Sequence, residues 1–161
     1  MSIAVGDKLP EATFYVMGDD GPAVVTSAEL CDGKTMALFA VPGAFTPTCH
    51  AKHVPGFLAH AEDLKAKGVD AIACVSVNDV FVMDQWAQAS GVTNKITFLA
   101  DGSADFTRAV GMELDLTERG LGVRSQRYAM LVKDGIVAAL NIEDSPSSAE
   151  KSSAAELLKA L

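Results

Sequence analysis

The chain has 161 residues, 49% of them hydrophobic and 21% charged, which suits one domain over residues 1–161 with its own core and excludes a disordered chain. Thirteen basic residues against twenty-one acidic ones give a net charge of −8, which argues against nucleic acid or an anionic membrane as the main partner. No apolar run approaches the roughly 18–20 residues of a membrane span, and the first residues do not read as a secretion signal. The three cysteines, at 31, 49 and 74, are odd in number and widely spaced, so no disulfide framework or Cys-x-x-Cys site is expected. The expected compartment is a reducing one, the cytoplasm.

Strands and helices alternate along the chain. Ala12 to Met17 reads as a strand closed by the turn Gly18-Asp19-Asp20-Gly21, with Val24-Val25 pairing back. Thr35 to Val41 is a buried strand, and Pro42 to Phe45 breaks it. A helix is predicted to start at Thr46-Pro47. It carries Val54, Phe57, Leu58, Ala61 and Leu64 at helical spacing, is kinked by Pro55, and ends at Gly68. Val69 to Val77 is the next strand, after which Asn78-Asp79 caps a helix over Val80 to Ala89. Trp86, Phe81 and Met83 form the core face of that helix. Ile96 to Ala100 is a strand, Ser103 to Val110 a short helix, and 111–125 a loop. Arg127 to Lys133 and Ile136 to Ile142 form a hairpin about Asp134-Gly135, and Ala149 to Leu161 is a final helix. The interleaving predicts an α/β fold of thioredoxin-like order, a central mixed β-sheet flanked by helices.

The chemistry concentrates in Pro42-Gly43-Ala44-Phe45-Thr46-Pro47-Thr48-Cys49. Thr46 suits an N-cap and Pro47 the first helical position, which puts Cys49 in the first turn. Unpaired N–H groups and the positive end of the helix dipole then favour a thiolate there. The competing reading is a small buried hydrophobe near a helix start. Ionisation alone does not make a fast enzyme. An ordinary Cys is about 3% ionised at pH 7, so complete ionisation gains about 30-fold. The site should therefore also hold a cation and hydrogen-bond donors.

The pattern Pro42-x-x-x-Thr46-x-x-Cys49, continued by His53-Val54-Pro55-Gly56-Phe57, resembles the peroxiredoxins, and within them the type II (fifth) subfamily. Lys65 to Val69, Ser76 to Asp79, Leu99-Ala100-Asp101 and Asp134-Gly135 agree in order. The block from Glu113 to Ser125 looks most like plant and bacterial members. The resemblance implies a thiol-dependent peroxidase acting on hydrogen peroxide and alkyl hydroperoxides, in antioxidant defence. It implies a peroxidatic Cys49, a Thr46 hydroxyl that holds the peroxide, and a Pro42 that shields the sulfur. It also implies an Arg that polarises the O–O bond, which by position is Arg127, with Arg124 as the competitor. Phe45 and His53 are expected to border the substrate. No cofactor or metal is implied. The resemblance further implies a homodimer, with Phe45 and Phe81 as interface candidates.

Some members resolve the oxidised cysteine with a second Cys near the C-terminus, and the stretch from Glu143 to Ser153 holds none. A one-Cys cycle is expected, with glutathione, glutaredoxin or thioredoxin as reductant. Cys74, in the apolar run Ala71 to Val75, reads as core, and resemblance to plant-type members implies a resolving role as the alternative. Cys31, before Asp32-Gly33, is expected in an exposed loop. All three histidines, His50, His53 and His60, fall on the helix that begins beside Cys49. A Cys/His/His metal site and a cysteine hydrolase with His53 as base are the rival readings.

Overall fold

The computed structural model describes residues 2–92 and 94–161. Its elements are β1 (Thr13–Gly18), β2 (Gly21–Thr26), α1 (Ser27–Cys31), β3 (Thr35–Val41), α2 (Val54–Ala59), α3 (Ala61–Ala66), β4 (Ala71–Ser76) and α4 (Val80–Ser90). They continue with β5 (Thr97–Ala100), α5 (Asp105–Ala109), β6 (Glu113–Leu116), β7 (Gly122–Ser125), β8 (Tyr128–Lys133), β9 (Ile136–Ile142) and α6 (Ala154–Leu158). Seven strands form one mixed sheet in the order β2-β1-β5-β4-β3-β8-β9, with β3, β4 and β5 parallel at its centre. Helices flank it, as a thioredoxin-like fold requires.

The central strands are apolar on both faces because both faces are covered. Ala37, Phe39 and Val41 of β3 turn to one layer, with Phe57, Leu64, Met83, Trp86 and Leu157 from the helices. Met36, Leu38 and Ala40 turn to the other, with Phe14, Phe106, Met112 and Met130. This period-two division separates the cysteines. Cys49 and Cys74 belong to the first layer and Cys31 to the second, across the sheet.

Several predicted boundaries move. Residues 111–125 are not a loop: β6 and β7 pair antiparallel from Glu113↔Ser125 to Leu116↔Gly122 as a separate two-stranded sheet. Their alternating pattern is weak because this small sheet is only half-buried. The last helix contracts to Ala154–Leu158, where the Ser153 side chain caps it by accepting from the Glu156 N–H. Cys31 is not exposed: it ends α1 with its side chain under the sheet. Phe81 leaves the core face of α4, at 62% exposure, while Met83 and Trp86 stay buried. Asp79 alone caps α4, its carboxylate accepting from the Val82 N–H.

The helix beginning at Pro47 changes most. Residues Cys49–His53 form a π-helical turn, closed by the Val54 N–H donating to the Cys49 carbonyl, and α2 and α3 follow, broken at His60. Pro55 explains the wide turn. It has no N–H to offer the Ala51 carbonyl and would clash with it in a regular helix.

Candidate active site

The site lies at the C-terminal end of β3, where the chain leaves a parallel strand for a helix, the usual place for a ligand crevice in an open α/β sheet. The loop between them is fixed at several points. The Ala44 N–H donates to Asn78 Oδ1 (3.0 Å), which also accepts from the Ser76 hydroxyl (2.6 Å). Phe45 adopts a left-handed backbone, φ 61°, turning the chain into the helix. A Cβ at Gly43 would sit 2.7 Å from Arg124 Nη1 and 3.2 Å from Thr46 Cγ2, so a side chain there would require the Arg124 guanidinium to shift.

Pro47 begins the helix, and its first regular bond runs from the His50 N–H to the Thr46 carbonyl, 2.9 Å. The Thr48 and Cys49 N–H groups are therefore first-turn donors without helical acceptors. Thr46 takes the N-cap position, but its side chain does not cap. Its hydroxyl lies 2.7 Å from the Gly43 carbonyl and 2.8 Å from Cys49 Sγ. One hydroxyl proton serves two acceptors. A protonated sulfur donates to the Thr46 oxygen, and the Thr46 hydroxyl donates to the Gly43 carbonyl. An anionic sulfur instead accepts the hydrogen bond from the Thr46 hydroxyl.

Arg127, just before β8, is 2% exposed, and its Nη2 lies 2.9 Å from Cys49 Sγ. Its Nε and Nη2 also donate to the Pro146 carbonyl, at 3.1 and 3.0 Å. Nη1 reaches His53 Nδ1 at 2.9 Å. A guanidinium only donates, so Nδ1 must accept, and the imidazole proton sits on Nε2, which donates to the Ser152 carbonyl at 2.9 Å. Burial first, and the Arg127 charge with it, outweigh the Ser152 bond and push His53 down to about 4. It is neutral under ordinary conditions.

A carboxylate anchors the far end of this chain of bonds. Glu143 accepts from both the N–H and the hydroxyl of Ser152, each at 2.6 Å. Burial opposes its charge, but these bonds, with others from Lys151 and Ser148, hold its carboxyl below the ordinary range. The segment after β9 is thus tied to Arg127 through Pro146 and to His53 through Ser152. The Thr48 hydroxyl adds a bond to the Ser147 carbonyl at 3.1 Å.

Cys49, Thr46, Arg127 and Pro42 come together, with Pro42 buried beside them. His53 touches Arg127, not the sulfur, so both its nitrogens are unavailable as a base for Cys49 and the hydrolase reading fails. His50 accepts from the Trp86 indole at 3.1 Å and His60 pairs with Asp63, so the histidines face three separate partners. Arg124 reaches the Pro42 carbonyl (3.4 Å) and the Leu121 carbonyl (2.8 Å), one layer out from the sulfur. Phe45 lies over His50 and Trp86, with ring centroids 5.8 and 6.4 Å away, outside the cavity lining. Cys74 is fully buried in β4, and desolvation holds its thiol well above the ordinary range, with Cys49 adding and Arg127 opposing. Burial pushes Cys31 up to about 11, Asp32 adding and Lys34 opposing.

Pro146, Ser152, Glu143 and the loop-tying role of Asn78 are not legible in the sequence. Ser152 meets His53 across 99 positions, and no local pattern signals it.

Beside these groups opens a cavity of about 370 Å³, lined among others by Pro42, Thr46, Arg127, Leu116, Leu121 and Pro146. Among the described residues, no cluster of His, Cys, Asp or Glu could hold a metal ion, and no helix is long and apolar enough to cross a membrane.

The Redoxin family model matches residues 4–158. The chain is 54% identical to Peroxiredoxin-2E-2, chloroplastic, of Oryza sativa subsp. japonica, over 99% of this chain and 73% of the relative. It is 49% identical to Peroxiredoxin-2B of Arabidopsis thaliana, over 99% and 98%. Among solved structures, reduced Prx3 of Vibrio vulnificus in complex with hydrogen peroxide superposes with a TM-score of 0.92 at 50% identity, covering 98% of each chain.

Proposed function

The chain belongs to the peroxiredoxin family of thiol peroxidases, and from that premise we propose that Cys49 is its peroxidatic residue in a one-Cys cycle. The carrying observation is the convergence of Arg127 Nη2 and Thr46 Oγ1 on one buried sulfur. The thiolate attacks one peroxide oxygen and the O–O bond breaks. The departing hydroxide or alkoxide takes a proton, leaving Cys49 sulfenic acid and water or alcohol. Charge moves from sulfur to the leaving oxygen. Arg127, the Thr46 hydroxyl and the Cys49 N–H are placed to follow it, and fixed donors of this kind contribute about 10²–10³-fold each. Pro42 shields the sulfur from water.

Regeneration falls to an external thiol: glutathione, glutaredoxin or thioredoxin. It attacks the sulfenic sulfur, releases water and forms a mixed disulfide that a second thiol opens. Two observations support this. Cys31 lies across the sheet from Cys49, and Cys74 is sealed in the core with a thiol that resists ionisation. Phe45 and Phe81, 49% and 62% exposed, support a homodimer formed around the site loops. The three free cysteines support a reducing compartment such as the cytoplasm.

The test is the intact mass of reduced protein after one equivalent of hydrogen peroxide, without reductant. A gain of one oxygen on Cys49 is expected. A loss of two hydrogens would replace the one-Cys cycle with an internal disulfide, and an unchanged mass would remove the peroxidatic assignment.

A further inference from the structure

The cavity beside Cys49 is larger than hydrogen peroxide needs. At 370 Å³ it matches the room of about a dozen waters, and it falls within the roughly 300–1,000 Å³ of sites for organic ligands. Leu116, Leu121 and Pro146 give it an apolar wall, and Thr46 and Arg127 mark its reactive end. The remaining charged residue on the lining is Arg119, exposed, in the turn between β6 and β7.

Arg119 differs from the other arginines here. Arg127 is committed to Cys49, His53 and Pro146, and Arg124 to two carbonyls. The ion pairs among the described residues belong to His60, Lys151 and Lys159. No acidic side chain lines the cavity, although the chain carries a net charge of −8. An apolar wall with a reactive end and an uncommitted cation fits one class of ligand: an organic hydroperoxide with an apolar body and a carboxylate.

Resting on the peroxidase reading, we propose that the site selects carboxylate-bearing alkyl hydroperoxides. The O–O group sits between Thr46 and Arg127, the chain lies along Leu116 and Leu121, and the carboxylate sits on Arg119. The chemistry is unchanged: Cys49 is oxidised to sulfenic acid and the hydroperoxide is reduced to its alcohol. Arg119 acts on binding and stays clear of the reacting atoms.

The test compares kcat/KM for a straight-chain hydroperoxide ending in a carboxylate with that for its methyl ester. Because Arg119 is exposed, the acid should be favoured about two- to fivefold in the wild type, and less so as salt rises. The ratio should fall to about one in Arg119→Gln and below one in Arg119→Glu. A wild-type ratio of one, or a preference that survives Arg119→Gln, overturns the proposal. Consumption of hydrogen peroxide by the same wild-type protein separates the two readings. Its presence beside a flat ratio sinks the proposal alone, and its absence sinks the peroxidase reading beneath it.

Discussion

Cys49 and Cys74 share one layer of the core and are both fully buried, yet their surroundings are opposite. Around Cys49 a hydroxyl and a guanidinium point at the sulfur. Cys74 lies in the middle of a parallel strand, flanked by Phe39 of β3 and Phe98 of β5. Burial alone disfavours a charged sulfur, as it does at Cys74. With burial equal, the two sulfurs differ in the donors around them, and the proposed peroxidatic role of Cys49 rests on that difference. The Thr46 donor is present at Cys49 because a strand ends there and a helix begins, and the Arg127 donor because β8 brings its preceding residue across from 78 positions away.

The comparison can be broken most directly at the sulfur itself. Cys49→Ser should abolish peroxide consumption in an assay with excess thiol, and retained turnover would move the chemistry elsewhere. Next comes the cation. Arg127→Ala should lower kcat/KM for hydrogen peroxide by about 10²–10³-fold, and Arg127→Lys should restore little, because an ammonium lacks the fork that reaches sulfur, His53 and Pro146 together. Arg124→Ala should cost far less, and the reverse ranking would transfer the role to Arg124. Thr46→Val keeps the shape and removes the donor, so kcat/KM should fall by about 10–10²-fold, with Thr46→Ser recovering most of it.

His53 sharpens the comparison through pH. Its pKa is about 4 in the fold and 6.5 unfolded, so the unfolded chain binds the extra proton between those values. Stability is full above the unfolded value and is lost as pH falls through that window, on the order of a few kcal/mol. Glu143 has the same sign of linkage in a lower window: its depressed carboxyl loses its contribution only as pH falls below the ordinary 4.5. Urea unfolding from pH 6.5 to 4.5 should therefore show a slope that His53→Asn flattens, and an unchanged slope would place the proton elsewhere. The smallest effect belongs to Cys74. Cys74→Ala should leave peroxide turnover nearly intact and cost about 1–2 kcal/mol in unfolding free energy. A large loss of recycling in that variant would give Cys74 a resolving role.

The strands of the main sheet were readable because each is a short apolar run bounded by breakers, as Thr35 to Val41 is by Pro42-Gly43. The hairpin β6–β7 was not, since its faces are only half-buried and its alternation is faint. Phe81 misled because it is apolar, but two residues from Met83 it points away from the packed face of α4, which runs through Val80, Met83 and Trp86. The exposed Cys31 expected from Asp32-Gly33 failed because the turn begins only after its side chain has entered the core.

The sequence by itself determined the strand-loop-helix segment that carries Thr46 and Cys49, because caps, prolines and hydrophobic periods act within a few residues. It also determined that no second cysteine stands near the C-terminus. Only the tertiary structure decided that Arg127 rather than Arg124 meets the sulfur, and that His53 is a neutral acceptor behind that arginine. Only the fold, too, brings Pro146 and Ser152 to hold the assembly in place. Those bonds join residues up to 99 positions apart. Their geometry is set by how β8 and the chain after β9 pack against the helix, a long-range arrangement that leaves no local pattern in the chain.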